Sequence, residues 1–362
     1  GNYKTQNSII NITDGELIST ADYAVYLPQS GTTTISGGKV YGAAGGVCIQ
    51  RGTLNVEGTA LITSKGTGST GNWGDGTGGL DCAAINVSGA YGIATVNIKG
   101  GTLIAEAKSL ITEGTTYTPV INVTGGTFSD PSVLKYMATN ATVDIKLLSN
   151  INIAKTELAT GYILNAANAT ANLNLNGHDI INSSETADAT PFTQIFTVQN
   201  GTLNISGNGN VKCDASATAK DDGYRMVIEA RGYGTVNIHG GSYYNTQKLN
   251  TQIDLIYARE NGKINIYGGT FESGKYGTPN NDTDGRYWVL NLKNTDKNTA
   301  SIQVSGGTFI NFNPANPNMD DNESYLVTGY EVTRDGSVYT AAHKVGDGRK
   351  EYIVGQTSQE NR

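Results

Sequence analysis

The chain has 362 residues, a formal net charge of −7 at pH 7 and a pI of about 5.1. It contains no block of basic residues, which argues against a general nucleic-acid-binding protein, and no apolar run of about 18 residues that would span a membrane. Glycine accounts for 47 residues, about 13% against a usual share of about 7%, whereas 16% of residues are charged. This composition favours stacked strands over salt-bridged helices. The three cysteines, Cys48, Cys82 and Cys213, are too few for a disulfide framework.

A short phrase recurs along the chain: two apolar residues separated by an Asn or, in one copy, a Gln, followed by one or two glycines. Its copies lie at 53–58, 95–101, 121–126, 172–177, 202–207, 235–241, 263–269 and 301–307. Elsewhere the apolar residues alternate in short runs, and helical periodicity is almost absent apart from 131–138. Repetition at this period predicts a solenoid of β-strands.

The phrase is interrupted between about residues 130 and 155 and then starts afresh. We therefore predict two β-helical sections, 1–137 and 138–342, with the second stacked on the first. The polar residues 343–362 form a C-terminal tail that we expect to fray or to lie over the end of the stack.

Equivalent residues of a parallel stack lie about 4.8 Å apart, so that like residues form columns. The apolar residues of each phrase should point inward, and the residues between them should form one outward ladder. Its predicted members are Asn55, Asn97, Asn122, Asn174, Asn204, Asn237, Asn265 and Gln303. Amide side chains can donate and accept along such a column, which favours a stabilising role over the alternative of a sugar-binding face.

Three further features carry a family resemblance: N-L-N-L-N-G-H-D-I at 172–180, the G-G-T-F endings at 125–128, 268–271 and 306–309, and G-Y-E-V-T-R-D-G-S-V-Y-T at 329–340. They resemble right-handed parallel β-helix proteins of the pectate-lyase-like superfamily. More narrowly, they resemble the Gly-Gly-Thr-Phe repeat proteins of gut bacterial surfaces and of some phage tails. The resemblance implies an all-β fold, a right-handed single-stranded parallel β-helix that forms a solenoid of about ten coils. It implies no single activity, because that superfamily includes lyases, hydrolases, adhesins and tail fibres.

When the coils are aligned on the Asn, the preceding strand ends in an outward polar residue in four consecutive coils. These residues are Gln199, Arg231, Arg259 and Lys293. Cations stacked about 4.8 Å apart repel one another, so either carboxylates balance them or an anion binds. Glu229, Asp254 and Glu260 are the available carboxylates. An anionic or uronate-bearing glycan is the alternative, because the arginine fork binds both oxygens of a carboxylate.

Five insertions follow the strand after the glycine turn, at 63–80, 213–224, 244–251, 273–286 and 311–324. If they leave the coil at one corner, they form a loop wall beside the row of cations. The aromatic and acidic residues in or next to these insertions are Trp73, Asp75, Asp221, Asp222, Tyr224, Tyr243, Tyr244, Tyr276, Asp282, Asp284, Tyr287, Trp288, Asp320, Asp321 and Glu323. Aromatic rings beside polar groups suit the faces of sugars. The predicted ligand-binding residues are Gln199, Glu229, Arg231, Tyr257, Arg259, Tyr276, Asp284, Trp288 and Lys293.

The three histidines, His178, His239 and His343, lack the spacing of a transition-metal site. The aspartate pairs Asp282 and Asp284, and Asp320 and Asp321, are the candidate ligands for Ca²⁺, and no other cofactor is expected. Pectate lyases of the fold that the sequence resembles combine acidic Ca²⁺ ligands with an arginine base. If the chain were an enzyme, that resemblance would assign catalysis to Arg231, Arg259 and Asp282. No lyase motif and no acid pair of the glycosidase type is evident, so the sequence favours a non-enzymatic role.

These observations predict a secreted or surface-exposed module, structural or adhesive, that recognises a glycan or cell-surface polysaccharide. Because residue 1 is Gly and no signal peptide is visible, we expect a trimmed or mature form. The alternative is a polysaccharide lyase or glycoside hydrolase that uses the same groove. A further alternative is a phage tail or fibre component, which should be a homotrimer.

Overall fold

The computed structural model describes residues 6–68, 81–113, 116–153, 161–182, 192–213, 224–245, 253–273, 287–317 and 323–344. Within these ranges the chain is almost all β, with thirty strands and two short 3₁₀ helices. None of the helices in the described ranges has the length and apolar character needed to cross a membrane. The predicted all-β class is confirmed.

The first part of the chain contributes fourteen strands and one helix. In chain order they are β1 (Ser8–Ile12), β2 (Glu16–Ser19), β3 (Tyr23–Leu27), β4 (Gly31–Ile35), β5 (Lys39–Gly42), β6 (Gly45–Ile49), β7 (Gly52–Val56), β8 (Leu61–Ser64), β9 (Ala83–Val87), β10 (Ala94–Ile98), β11 (Thr102–Ala105), β12 (Lys108–Thr112), β13 (Val120–Val123), β14 (Thr127–Phe128) and the 3₁₀ helix η1 (Pro131–Tyr136). The helix expected at 131–138 is therefore present as a 3₁₀ helix.

The second part begins with β15 and ends with a hairpin. Its elements are β15 (Thr142–Lys146), β16 (Ile151–Asn152), β17 (Tyr162–Asn174), β18 (Ile180–Asn182), β19 (Phe192–Ser206), β20 (Asn210–Cys213), β21 (Tyr224–Ile238), β22 (Ser242–Asn245), β23 (Ile253–Ala258), β24 (Lys263–Ile266), β25 (Thr270–Ser273), β26 (Tyr287–Leu292), η2 (Asn294–Asp296), β27 (Ser301–Val304), β28 (Gly307–Ile310), β29 (Tyr330–Asp335) and β30 (Val338–His343).

In the first part each strand from β1 to β11 pairs in parallel with the third strand after it. Sheet 1 contains β1, β4, β7, β10 and β13, sheet 2 begins with β2, β5, β8, β11 and β14, and sheet 3 contains β3, β6, β9 and β12. Three consecutive strands, which we call a repeat unit, therefore visit the three sheets in order. Helix η1 follows β14 and packs against β12, so it takes the sheet 3 position of the fifth unit.

Sheet 2 continues into the second part, because β14 pairs with β15 and β15 pairs with residues 170–174 of β17. Strands β17, β19 and β21 each contain two segments, and register shifts separate the segments where these strands pair. We call their first segments, together with β23 and β26, the leading strands. We call their second segments, together with β15, β24 and β27, the ladder strands. Sheet 4 contains β16, β18, β20, β22, β25 and β28, and the hairpin of β29 and β30 closes it in antiparallel pairing.

The second glycine after a ladder strand suits the local geometry. Gly241 has φ +87°, a left-handed conformation that favours glycine. A Cβ atom at this position would lie 2.7 Å from Cδ1 of Leu175, so the leucine side chain would have to shift. Glycine therefore allows the chain to turn from a ladder strand into sheet 4 without backbone strain.

One hydrophobic cluster runs through both parts, from Leu27 to Ala341. The apolar residues of the phrases are buried in it, as predicted, except Ile121, which is partly buried and packs against it. These include Val96, Ile98, Leu203, Ile205, Val236, Ile238, Ile264 and Ile266. All three cysteines lie in described ranges, are buried and form no disulfide.

An aromatic stack in this core corrects one expectation. Tyr243, Phe271 and Phe309 stand in register in sheet 4, and adjacent ring centroids are 5.0 Å apart. Tyr243 was expected on the loop wall, but it is fully buried. The segment 240–243 reads G-G-S-Y and is equivalent to the G-G-T-F endings, so its tyrosine occupies the inward phenylalanine position.

Candidate functional site

Two ladders of side chains run along the outside of the stack. The first, on sheet 1, contains Thr34, Asn55, Asn97 and Asn122. In it, Nδ2 of Asn97 donates to Oδ1 of Asn55 at 2.9 Å, and Nδ2 of Asn122 donates to Oδ1 of Asn97 at 3.0 Å. The second, on the ladder strands, contains Asp144, Asn172, Asn204, Asn237 and Asn265, with N···O distances between 2.8 and 3.0 Å. Every amide donates to the preceding unit, which is the arrangement expected of a stabilising ladder.

The prediction of one continuous ladder was wrong. The first ladder ends on β13 in sheet 1, and the second starts on β15 in sheet 2. Asn174 was placed in the ladder, but Asn172 holds that position, and Oδ1 of Asn174 accepts a hydrogen bond from the backbone N–H of Asn176 at 2.8 Å. The segment 172–176 carries three asparagines at period two, so alignment on the glycine selected the wrong one. Gln303 stands in register with Asn265, as expected.

The same change of sheet separates the insertions. Insertion 63–80 joins sheet 2 to sheet 3, whereas the later insertions start from the ends of strands in sheet 4. The expectation that all five leave at one corner was therefore wrong for 63–80. Several predicted wall residues lie outside the described residues: Trp73, Asp75, Asp221, Asp222, Tyr276, Asp282, Asp284, Asp320 and Asp321, together with the side chains of Tyr224 and Tyr287. The Ca²⁺ candidates belong to this group.

The structure places the four predicted polar residues in one row, which we call the charged row. Gln199, Arg231, Arg259 and Lys293 each directly follow a residue of one register column, namely Val198, Ala230, Ala258 and Leu292. The backbone N–H of Arg259 donates to the carbonyl of Ala230 at 3.1 Å, and that of Lys293 donates to the carbonyl of Ala258 at 3.0 Å. Each repeat unit therefore contributes one residue to the row, directly at the end of its leading strand.

Carboxylates lie between the cations of the row. Glu229 is 2% exposed, and its Oε1 accepts from Nε of Arg259 at 2.6 Å. Its Oε2 lies 4.0 Å from Nε of Arg231. Glu260 also pairs with Arg259, through Nη1, and accepts from the backbone N–H of Gly232 at 2.9 Å.

The end of the row is held in the same way. Oδ2 of Asp296 lies 3.4 Å from Nζ of Lys293 and accepts from the backbone N–H of Glu260 at 2.6 Å. This backbone hydrogen bond, with help from Thr295 and Lys293, lowers the pKa of Asp296. Among the described residues of the row, three cations thus face three carboxylates, and the row has no net charge. The sequence left two interpretations of the row, balance by carboxylates or binding of an anion. The structure shows the ion pairs that the first interpretation requires.

A polar column lies beside the row on the leading strands. Thr197, Glu229, Tyr257 and Asn291 stand in register. Tyr257 is partly buried, and burial, reinforced by the charge of Asp254, raises its pKa to about 12. Asp254 is 3% exposed and accepts from Nδ2 of Asn291 at 2.8 Å.

Several predicted ligand-binding residues therefore share one region of the leading strands: Glu229, Tyr257 and Arg259 from neighbouring units, and Trp288, which stands in register with Asp254. Sequence reasoning missed Asn291 and Asp296. Asn291 can be recognised as part of the site only from its register with Tyr257. Asp296 lies in helix η2, outside the strand pattern.

A cavity of about 370 Å³ opens at the end of the charged row. Leu292 and Lys297 line it on the side of the row, and Ser301 and Gln303 line it on the side of the ladder strands. Residues 323–328 close the opposite side. The cavity therefore lies between the end of the charged row and Gln303, which stands in register with the second ladder.

Within the described residues, no group of three or more His, Cys, Asp or Glu side chains is arranged to hold a metal ion.

No family model matches the chain, and neither curated proteins nor solved structures gave a match. The geometry of the site therefore carries the functional argument alone.

Proposed function

We propose that the chain is a right-handed parallel β-helix, of the kind that its sequence resembles in the pectate-lyase-like superfamily, and that it acts as a secreted or surface-exposed module that recognises a glycan. The fold proposal is supported by the parallel pairing of every third strand and by the single core between the sheets. The proposed binding region is the charged row together with the polar column of the leading strands.

One observation carries the functional proposal: the row presents donors and acceptors held in fixed pairs. Arg231 and Arg259 offer guanidinium N–H groups, Glu260 offers a half-exposed carboxylate beside Arg259, and the buried Glu229 holds Arg259 in place. A sugar with neighbouring hydroxyl groups needs both kinds of partner, since each hydroxyl donates once and accepts. The pairs are already ordered, so binding would cost little side-chain entropy. Tyr257 supplies a ring beside these groups.

The charged row has no net charge, and this affects which ligand we expect. A row of unpaired cations would select an anionic glycan, whereas paired groups recognise a pattern of hydroxyls. We therefore propose that a uronate group is not required for binding.

The same pairs favour binding over catalysis. The lyase alternative needs an arginine that gives up its proton and acts as a base. Arg259 contacts two carboxylates, and opposite charges stabilise its protonated form. Arg259 is therefore a poor base, and the enzyme alternative is left to experiment.

The test is a panel of soluble neutral and uronate-containing polysaccharides, incubated with the protein with and without Ca²⁺. Affinity electrophoresis scores retention, and a reducing-end and unsaturated-end assay scores cleavage. We expect retention of at least one neutral polysaccharide without new chain ends, and a loss of affinity of about tenfold in Arg231→Ala, equivalent to about one charge-assisted hydrogen bond.

The matched control is Lys99→Ala, which removes an exposed cation 3.9 Å from Glu57 in the first part. It should leave retention unchanged. New chain ends would favour the lyase or hydrolase alternative instead. Retention of no polysaccharide, or equal losses in Arg231→Ala and Lys99→Ala, would overturn the proposal. A trimer in light scattering combined with no retention would favour the fibre alternative.

A further inference from the structure

A second surface lies on the ladder strands, separate from the polar column. Val236 and Ile238 of β21 point into the core, so the alternate residues Tyr233, Thr235, Asn237 and His239 point outward. In the next unit Lys263, Asn265 and Tyr267 occupy the same outward positions, and the pairs of Thr235 with Lys263 and of Asn237 with Asn265 are in register. We call these seven side chains the flat face.

The flat face exposes aromatic rings on both sides of the second ladder. The rings of His239 and Tyr267 stack with centroids 4.7 Å apart and planes inclined by 8°. Tyr267 is 50% exposed and Tyr233 is 75% exposed. His239 lies six positions after Tyr233, a distance of about 20 Å along a strand. Two aromatic platforms thus flank the amides of the ladder.

The ladder between the platforms keeps hydrogen-bonding capacity. Each amide uses one N–H and one acceptor position within the ladder, as Asn237 does with Asn204 and Asn265. A side-chain amide has a second N–H and a second lone pair, which remain available at the surface. These free positions repeat about every 4.8 Å from unit to unit.

The charge and distribution of these groups select the class of ligand. Among the seven side chains of the flat face, Lys263 is the only cation and no carboxylate is present. One cation is too little for a nucleic-acid surface, which needs many phosphate contacts. Polar columns divide the two platforms, whereas the core of a protein–protein interface is a continuous apolar patch. Rings separated by amides and hydroxyls match a chain of sugars, whose C–H faces and hydroxyls alternate.

We propose that the flat face binds an extended, neutral polysaccharide chain that lies along β21. Its sugar rings pack on Tyr233 and on the stack of His239 and Tyr267, and its hydroxyls bond to Thr235, Asn237 and Asn265. This site is distinct from the charged row and does not depend on the function proposed for that row.

The test is a pull-down of the protein with three insoluble, extended, neutral polysaccharides: microcrystalline cellulose, chitin and mannan. We expect the wild-type protein to bind at least one of them. Tyr267→Ala and Tyr233→Ala should each weaken binding by up to about tenfold, since one ring contact contributes about 0.5–1.5 kcal/mol. Tyr267→Phe keeps the ring and should bind like the wild type.

Two controls make the result specific. Tyr117→Ala removes a tyrosine that is 48% exposed elsewhere on the surface, and it should bind normally. Lys99→Ala, at an exposed ion pair in the first part, should also bind normally. The two proposals are scored with different variants, Arg231→Ala for the charged row and Tyr267→Ala for the flat face, so a failure of one is distinguishable from a failure of the other. Circular dichroism confirms that each variant is folded. Binding to none of the three solids, or equal losses in Tyr117→Ala and Tyr267→Ala, would overturn the proposal.

Discussion

Two rows of side chains run along the second part of the chain. Hydrogen bonds between identical side chains stabilise one row, and ion pairs between opposite charges stabilise the other. The second ladder stacks like on like, because an amide both donates and accepts and can bond to a copy of itself. The charged row cannot do this, since a guanidinium only donates and repels its neighbours. It alternates cations with Glu229, Glu260 and Asp296.

The two designs differ in what happens when one member is lost. Removing a rung of the ladder leaves neutral groups that have lost hydrogen bonds. Removing Arg259 from the row leaves the buried carboxylate of Glu229 without its closest partner, which is the costlier defect. The charged row should therefore be the more sensitive of the two to a single substitution.

The largest effect is expected for Arg259→Ala. This change leaves Glu229, 2% exposed, with only Arg231 at 4.0 Å. We expect a loss of about 3 kcal/mol in the free energy of unfolding, measured by urea denaturation, because an uncompensated charge stays buried. Lys99→Ala, at an exposed ion pair, should cost no more than about 1 kcal/mol. Equal losses in the two variants would contradict the pairing described for the row.

An intermediate effect is expected within the ladders. Asn237 makes two ladder hydrogen bonds, and Asn122, at the end of the first ladder, makes one. At about 1 kcal/mol per bond, Asn237→Ala should lose about 2 kcal/mol and Asn122→Ala about half as much. The same denaturation experiment measures both. A smaller loss at Asn237 than at Asn122 would show that the ladder bonds do not determine stability.

The smallest effect concerns pH and the polar column. The pKa of Tyr257 is raised to about 12, chiefly by burial, whereas an unfolded tyrosine ionises near pH 10. As the pH rises from 10 to 12, the unfolded chain loses this proton first, so stability falls with pH. Tyr257→Phe should lose less stability over this interval than the wild type, in denaturation curves recorded at each pH. Identical pH dependence in the two proteins would contradict the burial of this hydroxyl.

The contrast also explains what the sequence could predict. A row of identical residues appears in the sequence as a repeat, so the ladder and its flanking core residues were predictable from the phrase. Even there, three asparagines at 172–176 left the rung ambiguous. The charged row was found through its cations, but Asp296 could not be assigned, since it reaches the row from a 3₁₀ helix outside any repeat.

The change of sheet between the ladders was not predictable either. It arises because β15 pairs with β14 in sheet 2. The free edge of β13 in sheet 1 makes an isolated bridge between Val123 and Met137 instead of pairing with a further strand. The backbone N–H of Ala138 donates to the carbonyl of Val123 at 2.8 Å, which holds the connection there. These contacts depend on how η1 packs, and local sequence patterns do not contain that information.

The charged row is proposed to recognise hydroxyl groups through paired side chains that together carry no net charge. The most direct measurement is the ratio of the dissociation constants for a retained neutral polysaccharide and for its uronate-containing counterpart, at low salt and at about 1 M salt, where the Debye length falls to about 3 Å. We expect the two constants to agree within about twofold at both salt concentrations, because paired charges neither attract nor repel the uronate strongly. Binding of the uronate form that is about tenfold tighter at low salt and loses this advantage at about 1 M salt would contradict the proposal, since it would mean that unpaired cations bind the ligand.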